Sequence, residues 1–237
     1  MNGAGAGMAA FHSDLVAAGP ETTDADLPDA ALAQFIMAMR ARGVRDKNLL
    51  VAFEKTTRGT FLPRANPRLL YAPYALPLDC GAEATPPHRI AEMLGALDLK
   101  PGMKVLDIGT GSGYQAAILA RFGCDVVTVE RFHTLHVAAA RAMRRLNIVN
   151  VRLEHGDGRE GFAEAGPYDR ILVNAAVRDV PDALIEQLTP GGTIVIPVQH
   201  GREQRYYAFD DVGETFRQRD FGRSSFQMLL DGVARAL

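Results

Sequence analysis

KVLDIGTGSGYQAAILARFGCDVVTVER, residues 104–131, is the stretch whose reading decides the fold. Lys104–Ile108 is an apolar run long enough for one buried strand. Gly109-Thr110-Gly111-Ser112-Gly113 follows, a turn obstructed by no bulky side chain. Over the next nine residues Ala116, Ala117, Leu119 and Ala120 form the packing surface of a helix. Gly123 ends it, since glycine takes positive φ at little cost. A second apolar run, 126–129, stops at Glu130. Strand, glycine turn, helix, strand and acid make half of a nucleotide-binding α/β unit.

Each piece has a physical reason. The glycines let a ligand approach the backbone closely. The helix after the turn aims unsatisfied N–H groups and its positive dipole end at that ligand. An acid at the end of the second strand can accept hydrogen bonds from both hydroxyls of a ribose. Spacing separates two ligand classes. A dinucleotide fingerprint is G-x-G-x-x-G, whereas here the third glycine, Gly113, comes one residue early. The competing reading is a tight turn that binds nothing.

Working outward, the 237 residues suit one α/β domain of ordinary size with a modest extension. Lys plus Arg is 26 and Asp plus Glu is 28, a net charge of -2, so no basic excess points to nucleic acid. Cys80 and Cys124 are too few for a disulfide framework or a metal cluster. No apolar run approaches the ~20 residues of a membrane span. The first ten residues lack the pattern of a signal peptide. The expectation is a soluble, cytoplasmic protein with no metal and no membrane partner. Its oligomeric state is not legible.

Along the chain, residues 1–28 are rich in Gly, Ala, Asp and Thr and read as a flexible segment. Residues 29–97 read as a helical, proline-rich extension. One helix spans 29–42, capped by Asp29, and a second spans 46–55. Pro63, Pro67, Pro73 and Pro77 forbid regular helix between them. Loops of that length are commonly lids or binding segments. Residues 76–87 then lead to a helix over 88–97.

Residues 98–237 carry the nucleotide unit. A helix is expected over 135–146, with strands at 151–154 and 168–174. A helix at 181–188, a turn at Pro190-Gly191-Gly192 and a strand at 193–197 follow. A hairpin of 205–209 with 215–219 closes the chain. His133 and His136, three apart, read as surface histidines rather than metal ligands. The alternation implies a doubly wound, mainly parallel Rossmann-like sheet of about seven strands with helices on both faces. Ligands of such sheets bind at the carboxyl ends of the strands. Gly109, Glu130, Asp157 and Asn174 all fall there.

G-x-G-x-G preceded by Asp107 resembles motif I of class I S-adenosylmethionine (SAM) methyltransferases. Residues 39–198 resemble more narrowly the protein-L-isoaspartate (D-aspartate) O-methyltransferase family. VLDIGTGSGY matches its motif I. HGDGREGFAEAGPYDRILVNAA matches its Gly-Asp-Gly block, aromatic-Asp pair and strand. VPDALIEQLTPGGTIVIPV matches the helix and strand after that. Arg58-Gly59-Thr60-Phe61-Leu62-Pro63 and Tyr74-Ala75-Leu76-Pro77-Leu78 resemble the lead-in to its active-site loop.

The resemblance implies SAM as cofactor and S-adenosylhomocysteine as its product. Gly109, Gly111 and Gly113 would hold the methionine part, Glu130 the ribose, and Asp157 with Gly158 the adenine. Asp107, Thr110, Arg131, Asn174 and His88 complete the set expected around the cofactor. The activity implied is carboxyl methylation of isoaspartyl residues in damaged proteins, so the partner is a protein or peptide bearing a carboxylate.

The acceptor half departs from the family's pattern. Where the family writes G-x-T-I-S before a proline, this chain has Gly81-Ala82-Glu83-Ala84-Thr85-Pro86. Thr85 keeps the hydroxyl and is the catalytic candidate, while Glu83 adds a carboxylate. Phe226-Gln227-Met228-Leu229 stands where the family writes F-V-P-L. Two alternatives stay open: a methyltransferase of the same family with another acceptor, and a SAM-binding protein without transfer activity. An oxidoreductase is disfavoured by the early third glycine.

Overall fold

The computed structural model describes residues 27–236, so the expectation of a flexible start lies outside it up to residue 26. The chain begins with α1 (Leu27–Ala41) and α2 (Lys47–Glu54), then a hairpin of β1 (Leu76–Pro77) and β2 (Glu83–Ala84), then α3 (Pro87–Ala96). Next come β3 (Lys104–Ile108), α4 (Tyr114–Phe122), β4 (Asp125–Glu130), α5 (His133–Arg145) and β5 (Val151–His155). Finally come β6 (Tyr168–Val173), α6 (Asp182–Glu186), β7 (Leu188–His200), β8 (Glu203–Asp211) and β9 (Phe216–Arg223).

The main sheet has seven strands in the order β5-β4-β3-β6-β7-β8-β9. The first five in that order pair in parallel, and β8 and β9 add antiparallel at the far edge. Period-two alternation divides its side chains. Leu106, Ile108, Val127, Val129, Ile171 and Val173 face the side covered by α6. Val105, Val126, Leu172 and Val195 face the opposite side, in one core with α1 to α5. Both faces are covered, so the central strands are mostly apolar, with Asp107 and Thr128 as buried polar exceptions.

That larger core explains the N-terminal helices. Phe35, Ile36, Met39, Leu49, Leu50 and Phe53 are buried in the same cluster as α4. Phe53 meets the ring of Tyr114, the first residue of α4, edge-on at 6.3 Å. The extension is thus seated on the helix that follows the glycine turn.

Several boundaries differ from the sequence reading. α1 begins at Leu27, which places Asp29 inside the helix rather than at its cap. α5 opens at His133, two residues early. α6 is only five residues long, and β7 begins at Leu188. Pro190-Gly191-Gly192 is not a free turn. Leu188 pairs with Tyr168 and Thr193 with Arg170, so six residues of β7 face three of β6 and the excess bulges within the strand. β8 and β9 extend past the expected hairpin arms because the antiparallel ladder continues to His200 and Arg223. The β1–β2 hairpin lies inside the stretch read as the lead-in and acceptor loop, for which no strands were expected.

Candidate active site

The chain passes from β3 to β4 to β5 on one side and returns across to β6, so the sheet's switch point lies between β3 and β6. At its carboxyl edge Gly109 has φ +87°, a conformation that glycine adopts without strain. A side chain on Gly109 would also meet Asn174 Cβ at 3.4 Å, so the turn sits tightly against the end of β6.

Beneath the turn lies a buried polar network. Asp107 is 0 % exposed. Its Oδ1 accepts from Gln115 Nε2 at 2.8 Å and Asn174 Nδ2 at 2.9 Å, and its Oδ2 accepts from Thr128 Oγ1 at 2.8 Å. Thr110 and Thr128 share a hydroxyl contact of 2.6 Å. Desolvation pushes the Asp107 carboxyl up to about 6, against those three hydrogen bonds. Asp107 therefore braces the turn from below and does not line the cavity above it.

Glu130 is 4 % exposed. One carboxylate oxygen accepts from Gly111 N at 2.8 Å and the other from Phe132 N at 2.9 Å. These bonds aim the carboxylate over the turn. Each oxygen keeps a lone pair for a further donor. Burial raises its pKa, opposed by the backbone hydrogen bonds from Phe132, Gly111 and Arg131.

Above the turn is a cavity of about 400 Å³, within the range of small-molecule sites. Gly109, Thr110, Gly111, Glu130, Arg131, Gly158, Asn174 and Thr85 of the sequence set line it. Gly113 is turned instead against α5, where a Cβ would meet Ala139 Cβ at 3.0 Å. Asp157 also lies off the lining, and its carboxylate accepts from Arg159 N and Gly232 N. His88 lies in the wall of a second cavity, about 290 Å³, which shares Glu83, Thr85, Asn174 and Gln227 with the first.

Other site residues escaped the sequence reading. Arg58 is 1 % exposed, donates from Nη2 to Thr85 O at 2.9 Å, and stacks over the Tyr114 ring at 4.8 Å. Arg58 Nε and Nη1, Tyr114 Oη and Gln115 Oε1 are buried without a partner among the described residues. Leaving such atoms unpaired is costly, and all three side chains belong to the cavity wall. These orphaned groups, with Glu130 and the open turn, fit a polar ligand of nucleoside size carrying a charged amino-acid tail. The available signal was Gln115, a polar residue on the otherwise apolar face of α4.

The C-terminal segment closes the cavity's rim. Ala176 N donates to Gln227 O and Leu229 N to Ala176 O, both at 2.8 Å. Arg159 pairs with Asp231 at 3.0 Å, and Arg131 donates to the carbonyls of Asp231 and Gly232. Gln227 Nε2 donates to Gly81 O at 2.8 Å, tying this segment to the β1–β2 hairpin. The pair His133 and His136 acquires His155 as a neighbour, with ring centroids 5.4 to 6.3 Å apart. His155 Nε2 is engaged with Arg131 O at 3.0 Å. No group of three His, Cys, Asp or Glu among the described residues is placed to hold a metal ion.

Comparison with known proteins returns one family model, protein-L-isoaspartate(D-aspartate) O-methyltransferase, matching residues 31–233. A protein-L-isoaspartate O-methyltransferase of Caulobacter sp. (strain K31) is 43 % identical over 213 residues, covering 89 % of this chain and 97 % of that one. One of Methylorubrum populi is 42 % identical over 212 residues, covering 89 % of this chain and all of that one. A solved protein-L-isoaspartate O-methyltransferase superposes with a TM-score of 0.79 at 29 % identity, over 85 % of this chain and 67 % of that one. A structure from Plasmodium falciparum, described as in complex with S-adenosyl-L-homocysteine, shares the fold with a TM-score of 0.72 at 21 % identity, over 83 % of this chain and 97 % of that one.

Proposed function

Because the chain belongs to the protein-L-isoaspartate (D-aspartate) O-methyltransferase family, we propose that it esterifies isoaspartyl carboxylates of damaged proteins with the methyl group of SAM. The observation that carries this reading is the junction of two cavities. One is built on the glycine turn and Glu130, the other on the acceptor hairpin, and Thr85 and Asn174 belong to both.

Bound there, the cofactor would supply a methyl group on a sulfonium centre. Glu130 would accept the ribose hydroxyls through the lone pairs left over from Gly111 and Phe132. Gly109, Thr110 and Gly111 would receive the methionine end at the N-terminus of α4, with Arg58 as the buried cation nearby. Gly158, which packs so closely on Ile108 that a Cβ would meet its Cγ2 at 2.5 Å, would border the adenine.

An acceptor carboxylate is already a nucleophile near neutral pH, so the reaction asks for no general base. This chain's residues instead orient the acceptor and exclude water, and orientation is a large term in such reactions. Thr85 is held by Arg58 through its carbonyl, which leaves the hydroxyl free to direct the acceptor. Gln227, Met228 and Leu229 would cover the junction from above. The free thiols of Cys80 and Cys124 suit a reducing cytoplasm.

The test is labelled-methyl transfer from SAM to an isoaspartyl peptide, followed by mild base. Label released as methanol is expected, because the product is an ester. Label that stays on the peptide, or no transfer by protein that binds SAM, overturns the reading.

A further inference from the structure

The acceptor cavity carries one charge that the described residues leave unbalanced. In β2 burial alternates: Ala84 packs with Leu62, Leu70 and Leu76, while Glu83 is exposed. Side chains two apart share a face of an extended segment. Glu83 is therefore turned to the side of Thr85, and both line the two cavities. Among the described residues the Glu83 carboxylate forms no hydrogen bond or ion pair.

The nearby cations are committed elsewhere. Arg89, in the wall of the acceptor cavity, gives Nη1 to Glu92 at 2.8 Å and Nη2 to Arg223 O, and stacks over Tyr206. Arg64 pairs with Asp79 at 2.9 Å. Arg58 lines only the first cavity. His88 has its pKa lowered mainly by burial, so its ring is neutral at neutral pH. A substrate carboxylate entering alone thus meets a like charge two residues from Thr85.

Building on the methyltransferase reading, we propose that Glu83 makes this chain select isoaspartyl acceptors flanked by a basic side chain. A Lys or Arg beside the isoaspartyl linkage neutralises Glu83 while the acceptor carboxylate reaches Thr85. An acidic neighbour adds a second repulsion. Attraction in one peptide and repulsion in the other compound, as opposite and like charges do at a solvent-exposed site.

The experiment measures equilibrium binding, by calorimetry on protein loaded with S-adenosylhomocysteine, of isoaspartyl peptides that differ only in a flanking Lys, Gln or Glu. The Lys peptide should bind about tenfold tighter than the Glu peptide at low salt, with the Gln peptide between. Glu83→Gln should bring the two within about twofold, and Glu83→Lys should invert the order. Equal affinities in the wild type, or a preference that survives Glu83→Gln, overturn the proposal. The parent reading is scored separately, by the ratio of isoaspartyl to aspartyl peptide at constant flanks. If that ratio is one, the parent reading fails and this inference falls with it.

Discussion

Glu130 serves two purposes with one carboxylate. Its oxygens satisfy the N–H groups of Gly111 and Phe132, and the residue lines the cavity. Glu130→Ala should raise the SAM dissociation constant about 10- to 100-fold, the loss expected for charge-assisted hydrogen bonds. Calorimetry checks this, and an unchanged constant would remove the ribose from this residue. Asp107 makes a prediction of opposite character. Its folded pKa is about 6, above the ordinary aspartate value, because burial disfavours its charge. Below the unfolded pKa its contribution to stability is fully present, and it is lost as pH rises through the folded pKa. The stability of wild type relative to Asp107→Asn should therefore fall by on the order of 1–3 kcal/mol between pH 4 and 6. Urea unfolding of both proteins across that range measures it, and a difference that is flat or rises contradicts the assignment. Glu130 and Gly109 were legible because each ends an apolar run. Arg58 was not, because its partner Thr85 lies 27 residues away and is brought to it only by the folding of the proline-rich segment.

The β1–β2 hairpin, proposed above to hold the acceptor, has strands of only two residues each. So short a pair is not stable alone. Its outside supports are the apolar cluster under Ala84, Arg58 on Thr85 O, and Gln227 on Gly81 O. Gln227→Ala should raise the acceptor KM about 3- to 10-fold, in keeping with the loss of one neutral hydrogen bond. The SAM dissociation constant should stay nearly unchanged. Steady-state kinetics beside a SAM titration separates the two, and a loss confined to SAM affinity would mean that the segment serves the cofactor alone. This hairpin was invisible to periodicity, since two residues of alternation give no signal. The bulge in β7 was hidden for a related reason. Pro190-Gly191-Gly192 carries the residues of a turn, and only the pairing of Leu188 and Thr193 with β6 on either side marks it as a bulge within one strand. The central strands were readable because burial on both faces left them predominantly apolar.

Across the whole molecule, the seven-stranded sheet places the ends of β3, β4, β5 and β6 along one edge. The site is assembled there from segments more than a hundred residues apart. The N-terminal helices share a core with α4, and the C-terminal segment returns across the same edge. The cofactor half was therefore legible as a local motif, strand, turn, helix and acid in one run of sequence. The proposed acceptor half was suggested only by a resemblance, because the second cavity is walled by long-range contacts between the hairpin and the C-terminal segment. The measurement that tests the account most directly is kcat/KM for methyl transfer to an isoaspartyl peptide and to its aspartyl twin of identical sequence. At least ~100-fold preference for the isoaspartyl form is expected, a difference of about 2.7 kcal/mol in transition-state binding. Equal rates for the twins, or turnover of neither by protein that binds SAM, would contradict it.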